Sequence, residues 1–369
     1  MKPVITLGSN ICRLRREAHI TQGDLASFLG VTKASVSKWE TAQSYPDLEL
    51  LPRIATFFST TIDELVGYQP QLDKGGIARE CARLRAAFAD GPFDRAHRQC
   101  QELVRDYYAC YPLIAQIALI YLNHWDFAKG EERDELVGEA IGLCHRVKRG
   151  SESSADIKLA EAVEAAFLLA SGDSCAVVEI LGETPEVDMG TDILLASAYG
   201  ALGRLDEADM TLQGPLFESL VLALNRLSQL AMLYVSNPEK LEVAHERAMA
   251  IVEAFDMEKI FVNTAAVHLS FATAFVAGGN VQRCLDCLED YERACKALDF
   301  PIKLHGDAFF DKVVAWLEMV NTLGTSVPRD EALVKKSMLE SVSANPAFAA
   351  IAKEPRFRRI VANLERMSL

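Results

Sequence analysis

The residues of this chain best suited to a chemical task are Lys33, Ala34, Ser37 and Lys38, within the run KASVSKWE. At the helical period of 3.6, Val36 and Trp39 fall on one side and these four fall on the other. Ala34 is small enough to let a helix come close to base edges. The flanking lysines reach phosphates or guanine edges. The chemistry is recognition of duplex DNA through its major groove, with no bond made or broken.

Other reactive residue types do not assemble into sites. Cys284-Leu-Asp-Cys287 is a CxxC pair with Cys295 further on. It lacks the second pair or nearby histidines that a zinc site needs. Its cysteines coincide with small-residue positions of a helix pair, so packing is the first reading, with redox sensing and metal binding as alternatives. The seven histidines form no HxxxH or HExxH set. There is no GxxxxGK[ST] phosphate loop and no GxSxG elbow. Glu131-Glu132 lies in a charged segment and reads as solvated. No catalytic residue, cofactor site or metal site emerges, and the chain does not read as an enzyme.

The groove-facing residues need a scaffold, and TQGDLASFLGVTKASVSKWE (residues 21–40) supplies one. Thr21 caps a first helix, with Asp24 three residues on as a short capping box. Leu25, Ala26 and Leu29 form its apolar face, Gly30 ends it, and Val31 packs the turn. Thr32 caps the second helix. This is a helix-turn-helix whose second helix is shaped for a major groove. Before it, Leu7, Ile11 and Leu14 mark a buried stripe on a helix over 7–18. Arg13, Arg15 and Arg16 on that helix are candidates for phosphate contact. After it, Ser44-Tyr45-Pro46-Asp47 forms a loop, and a fourth helix is expected to start with Pro52 at its first position. Thr61 caps a last helix, IDELV, which Gly67 ends.

Residues 7 to 67 resemble the Cro/C1-type (XRE-like) DNA-binding domains. The match includes SNICRLRREAHITQGDLASFLGV, KASVSKWE, SYPDLE, LLPRIATFF and TIDELVG. The resemblance implies that Gln22, in the first turn of the second helix, bonds a backbone phosphate. It also implies that Lys33, Ala34, Ser37 and Lys38 face the groove of double-stranded operator DNA.

Net charge is −14 over 369 residues, which looks adverse for DNA binding until it is located. Residues 1 to 45 carry Lys2, Arg13, Arg15, Arg16, Lys33 and Lys38 against Glu17, Asp24 and Glu40. The acidic excess lies further along. Phosphate attraction acts within a Debye length of about 8 Å, so a basic head can work on an acidic body. Nine cysteines at scattered spacings, after an N-terminus without a long apolar core, imply reduced thiols and a cytoplasmic protein.

GYQPQLDKGG has linker composition, and beyond it the chain reads as helical and repetitive. The clearest unit, LLASAYGALGRLDEA (194–208), resembles a tetratricopeptide (TPR) repeat. Weaker copies are LRAAFADGPFDRA, AAFLLASGDSCAV, LAMLYVSNPEKLEVA and ATAFVAGGNVQRC. With Ala87, Tyr121, Leu168, Tyr199, Tyr234 and Phe275 as equivalents, the spacings are about 34, 47, 31, 35 and 41, near the ~34 of a TPR. NPAFAAIAKEPRFRRIVANL reads as two short helices closing the stack. The expected fold is all-α: a five-helix Cro/C1-type domain (1–67), a linker (68–76) and a TPR-like α-solenoid (77–369). Two long uncharged runs, 107–125 and 260–282, fit inner solenoid helices better than membrane spans.

The resulting expectation is a DNA-binding transcriptional regulator, homodimeric through its helical body. The alternative is a TPR-type adaptor in which DNA binding is secondary. In a TPR stack the first helix of each pair lines the concave face, which suits an extended peptide or protein effector. Asn123 and Asn225 are placed there, since an amide both donates to and accepts from a peptide backbone. Ala162, Ala166, Ala170, Met232, Val235, Thr273 and Val276 would make the small or apolar lining.

Overall fold

Short polar residues decide where the helices of the head begin. In the computed structural model the Thr21 hydroxyl accepts the Asp24 N–H at 3.2 Å, and the Asp24 carboxylate accepts the Thr21 N–H at 2.8 Å. Thr61 and Glu64 repeat this box at 3.1 and 3.2 Å. The Thr32 hydroxyl accepts the Ser35 N–H at 3.1 Å. Each pair satisfies backbone donors that a helix N-terminus leaves free. The helices are α1 (Leu7–Glu17), α2 (Gln22–Leu29), α3 (Lys33–Glu40), α4 (Leu50–Phe57) and α5 (Ile62–Val66). Their shared core is built on Ile11, Leu25, Val36, Ile54 and Leu65, all fully buried. Pro52 is the third residue of α4 rather than its first. That place is tolerated because the first four N–H groups of a helix have no intrahelical partner.

The structure describes residues 6–67, 71–184, 190–261, 263–300, 302–320 and 331–368. Among them there is no β-strand, and the fold is all-α. Of the expected linker, residues 68–70 lie outside the described residues, and a helix already starts at Lys74. The chain divides into two compact units. One holds residues 1–77, 94–122 and 130–167; the other holds 78–93, 123–129 and 168–369.

In the first unit, Tyr121 is fully buried and its hydroxyl donates to Glu139 at 3.1 Å. His97 (2.8 Å) and Gln101 (2.9 Å) contact the other oxygen of the same carboxylate. Glu164 is buried on one helix and contacts His145 (2.7 Å) and Lys148 (2.5 Å) of the preceding one.

In the second unit one backbone turn recurs. Gly172, Gly203 and Gly279 all take positive φ. Just beyond them, the N–H groups of Asp173, Arg204 and Asn280 donate to the carbonyls of Leu168, Tyr199 and Phe275 at 2.9, 2.9 and 2.8 Å. This is a Schellman closure, and its three acceptors are repeat-equivalent residues of the sequence. Asp173 and Asn280 then cap the following helices through their side chains. Tyr121 and Tyr234 end their helices differently, so the equivalence holds strictly for three hairpins.

The repeat grammar also fails between 208 and 230. A single 29-residue helix, Leu205–Leu233, runs through Pro215. Gly214 explains how it packs: a Cβ there would lie 2.3 Å from the Trp316 ring. This helix has the length and apolarity of a membrane span, and it buries Phe217, Leu224 and Ala231 in the core of the unit. The two long uncharged runs of the sequence hold helices of only 14 residues each, Tyr111–His124 and Thr264–Ala277. At 1.5 Å per residue these reach about 21 Å, short of a bilayer core. The end of the chain folds as a 3-10 turn, Pro346–Ile351, and a helix, Pro355–Ser368.

Cys284, Cys287 and Cys295 are buried in this core. Burial pushes the first two thiols up to about 12 and the third to about 11, so they stay protonated, and the Cys287 sulfur lies 3.5 Å from His245 Nε2. The described residues contain no cluster of three metal ligands. His245 is buried against Phe271 and Phe275. Burial, with help from Arg283, lowers its pKa from 6.5 to about 4. Buried His268 is lowered as well, mainly by burial. A histidine kept neutral binds fewer protons folded than unfolded, so stability rises with pH between its folded and unfolded pKa values. The second unit should therefore lose about 1 kcal/mol or more as pH falls from 6.5 to 5.5, before carboxylates titrate. Denaturant unfolding across that range measures this, and His245→Phe should flatten the slope. A slope unchanged by the substitution would contradict the assignment.

Candidate nucleic-acid interface

The candidate interface is the outer face of α3, and three features hold that helix in place. Underneath, α1 crosses the end of α3 at Gly8, where a Cβ would sit 2.2 Å from the Trp39 carbonyl oxygen. Only a residue without a side chain permits that approach. At the C-terminal end, the Glu40 carboxylate is shared. Arg15 of α1 donates to its two oxygens at 2.6 and 3.0 Å. Gln22 of α2 donates to it at 2.9 Å. A third Arg15 N–H goes to the Ile20 carbonyl at 2.9 Å, fixing the α1–α2 turn. The Arg15 and Glu40 side chains are only 14% and 6% exposed. Burial would raise the Glu40 carboxyl, but the Arg15 and Gln22 bonds outweigh it and hold it below the usual glutamate range. Third, the turn into α3 is closed by Gly30 in the left-handed conformation and by the Val31 N–H donating to the Ala26 carbonyl at 3.0 Å.

On this scaffold Val36 and Trp39 face inward and are buried, while Lys33, Ala34 and Lys38 are exposed and Ser37 is half-exposed. The first turn of α3 contains no acidic residue. Its free N–H groups and the positive end of the helix dipole are therefore open to an anion. Gln22 stands at the first position of α2, and one amide N–H is committed to Glu40. A primary amide carries two such hydrogens. The candidate arginines of α1 divide: Arg15 belongs to the clamp, Arg13 pairs with Glu17 at 3.0 Å, and Arg16 is exposed.

Sequence reasoning missed Glu40 and the structural role of Arg15. The two are 25 residues apart, and no local pattern links them. It also missed Arg53, whose guanidinium donates to the carbonyls of Phe28 and Leu29 at 3.1 and 3.2 Å and finishes α2. Asn123 is half-buried near the end of helix Tyr111–His124, and Asn225 is exposed on helix Leu205–Leu233.

The arrangement defines a helix-turn-helix domain of the Cro/C1 type. Residues 13–65 match the family model described as helix-turn-helix. Over 54 residues, 15% of this chain, the sequence is 46% identical to the HTH-type transcriptional activator BcrR of Enterococcus faecalis. The match spans 26%, about a quarter, of that relative's length. Among solved structures, the apo form of the competence regulator ComR from Streptococcus vestibularis covers 87% of this chain and 99% of its own, at 13% identity and a TM-score of 0.31. ComR from S. thermophilus, in complex with DNA and its signalling peptide ComS, covers 79% and 93% at 15% identity and a TM-score of 0.21.

Removing one partner of a buried ion pair leaves the other charge uncompensated, at a cost of about 3 kcal/mol. Glu40→Ala should destabilise the head by that order and speed amide hydrogen exchange in α2 and α3. Unchanged protection in both helices would mean that the carboxylate does not hold them.

Proposed function

We propose that this protein is a sequence-specific DNA-binding transcriptional regulator. The observation that carries the reading is a clamped helix presenting Lys33, Ala34, Ser37 and Lys38 outward, on a head resembling that of a known activator. Lys33 supports it further. A cation in the first helical turn opposes the helix dipole, so Lys33 is unfavourable for folding and suited to a phosphate or guanine. Gln22 contacts a phosphate through its second amide hydrogen while the first stays on Glu40. The protein acts in the cytoplasm and is not an enzyme. It works as a homodimer assembled through its helical body, because specific affinities of ~10⁻⁸ M or better usually need two half-sites.

Lys33→Ala and Lys38→Ala should each weaken binding, and at least one should change base preference. A residue that touches only phosphate lowers affinity for all sites alike and reduces the salt slope by about one. Gln22→Ala should weaken binding without altering preference. Lys33→Glu should raise head stability by ~0.3–1 kcal/mol while abolishing binding, a split that a purely structural lysine would not give. Wild-type affinity in a Lys33→Ala/Lys38→Ala protein at ~150 mM salt would remove the reading.

The helical body takes a peptide or similar linear effector, with the Asn123 and Asn225 amides bonding its backbone. Neither side chain is closed off in the core, which supports the assignment. An effector's influence on DNA binding equals its preference for one arrangement of the heads. A ligand co-purified from the native cells should bind Asn123→Ala/Asn225→Ala more weakly than wild type. Equal affinity would discard the two residues.

A further inference from the structure

The large apolar residues left in solvent are not scattered. Among the described residues, fourteen of twenty-three lie between positions 169 and 243, a fifth of the chain. Helix Ser174–Leu181 buries none of its residues, and helix Thr191–Ala201 buries Ala196 alone. Both are nevertheless apolar. Leu169, Leu181, Ile193, Leu194, Leu202 and Leu205 are all exposed, Leu194 and Leu202 at 70%. Isolated exposed leucines need no explanation, but a concentration on neighbouring helices marks an interaction surface.

We propose that this surface, carried by helices Ser174–Leu181 and Thr191–Ala201 with the first half of Leu205–Leu233, is where a second copy of this chain docks. Three observations select that occupant. The exposed aliphatic residues between 169 and 222 together expose on the order of 1,000 Å², the same scale as the ~800 Å² per partner of a stable interface. The two short helices carry one charged residue each, Glu179 and Asp192, and such charge depletion is typical of the core of a homodimer interface. Nearby, Arg204 is already engaged with Glu207 at 3.0 Å. The two acids leave the short helices a net charge of only −2, and on the third helix Asp206 is paired with Lys312 at 3.3 Å. Apolar contact rather than charge therefore sets the partner, and apolar surface is complementary to itself across a two-fold axis. The inference rests on the reading above that two heads act together, and it locates the joint between them.

The test is light scattering of the full chain, without DNA, at micromolar concentration. Leu194→Gln/Leu202→Gln replaces two highly exposed leucines with a good helix former, so helicity should be kept. Wild type and the control Leu48→Gln, an exposed leucine of the head, should be dimers; the double variant should be a monomer with unchanged circular dichroism. A second measurement needs no variant: amide exchange in 191–205 should be slower at micromolar than at low nanomolar protein. A monomeric wild type, a dimeric double variant, or exchange independent of concentration overturns the proposal. Because no DNA is present, each of these results leaves the assignment of Lys33 and Lys38 standing.

Discussion

The attitude of α3 depends on one carboxylate. Glu40 ends the helix that presents Lys33 and Lys38, and there it faces the negative pole of that helix's own dipole. Arg15 makes the position tenable by bonding both oxygens, and Gln22 adds a bond from the other helix of the motif. Three helices are thereby fixed to one another by a group with little room to move. The Gly8–Trp39 approach sets how deeply α3 seats on α1. A reading helix delivers specificity only if its side chains reach the groove in a fixed attitude, and bonds at one end with a close backbone contact beneath provide that.

The body uses a different economy. Its hairpins close through backbone bonds at Gly172, Gly203 and Gly279, so the turn geometry is nearly independent of the side chains around it. The polar groups drawn inside are paired where they carry charge. Glu139 gathers His97, Gln101 and Tyr121, and Glu164 gathers His145 and Lys148. His268 is the contrast: its Nδ1 has no hydrogen-bond partner, and its Nε2 reaches only the Glu258 carboxylate, at 3.4 Å. Helices 174–181 and 191–201 depart from this pattern by leaving leucine and isoleucine in water.

What was legible in the sequence is what acts over a few residues. The caps at Thr21, Thr32 and Thr61, the stops at Gly30 and Gly67, and the inward Val36 and Trp39 all follow from short-range rules, and all stand where expected. Three other helices end close to where the sequence puts them, but just beyond those ends His19, Ala42 and Ser59 take the left-handed conformation without being glycine, which no local rule marks. Tertiary contacts override local preference there. The Arg15–Glu40 pair joins positions too far apart for any periodic pattern. The continuous helix Leu205–Leu233 runs through Gly214-Pro215, two residue types that disfavour a helix interior, so local preference does not mark it. Its seat against Trp316 joins residues about a hundred positions apart in the chain.

The central claim is that α3 reads a DNA sequence. Repeated selection of bound duplexes from a random library by the full chain tests it most directly. The expected result is enrichment of an inverted repeat whose half-site centres lie about one helical turn apart, as two heads related by a two-fold axis require. A bound pool with no enriched motif, carrying only salt-sensitive affinity for any duplex, would contradict it.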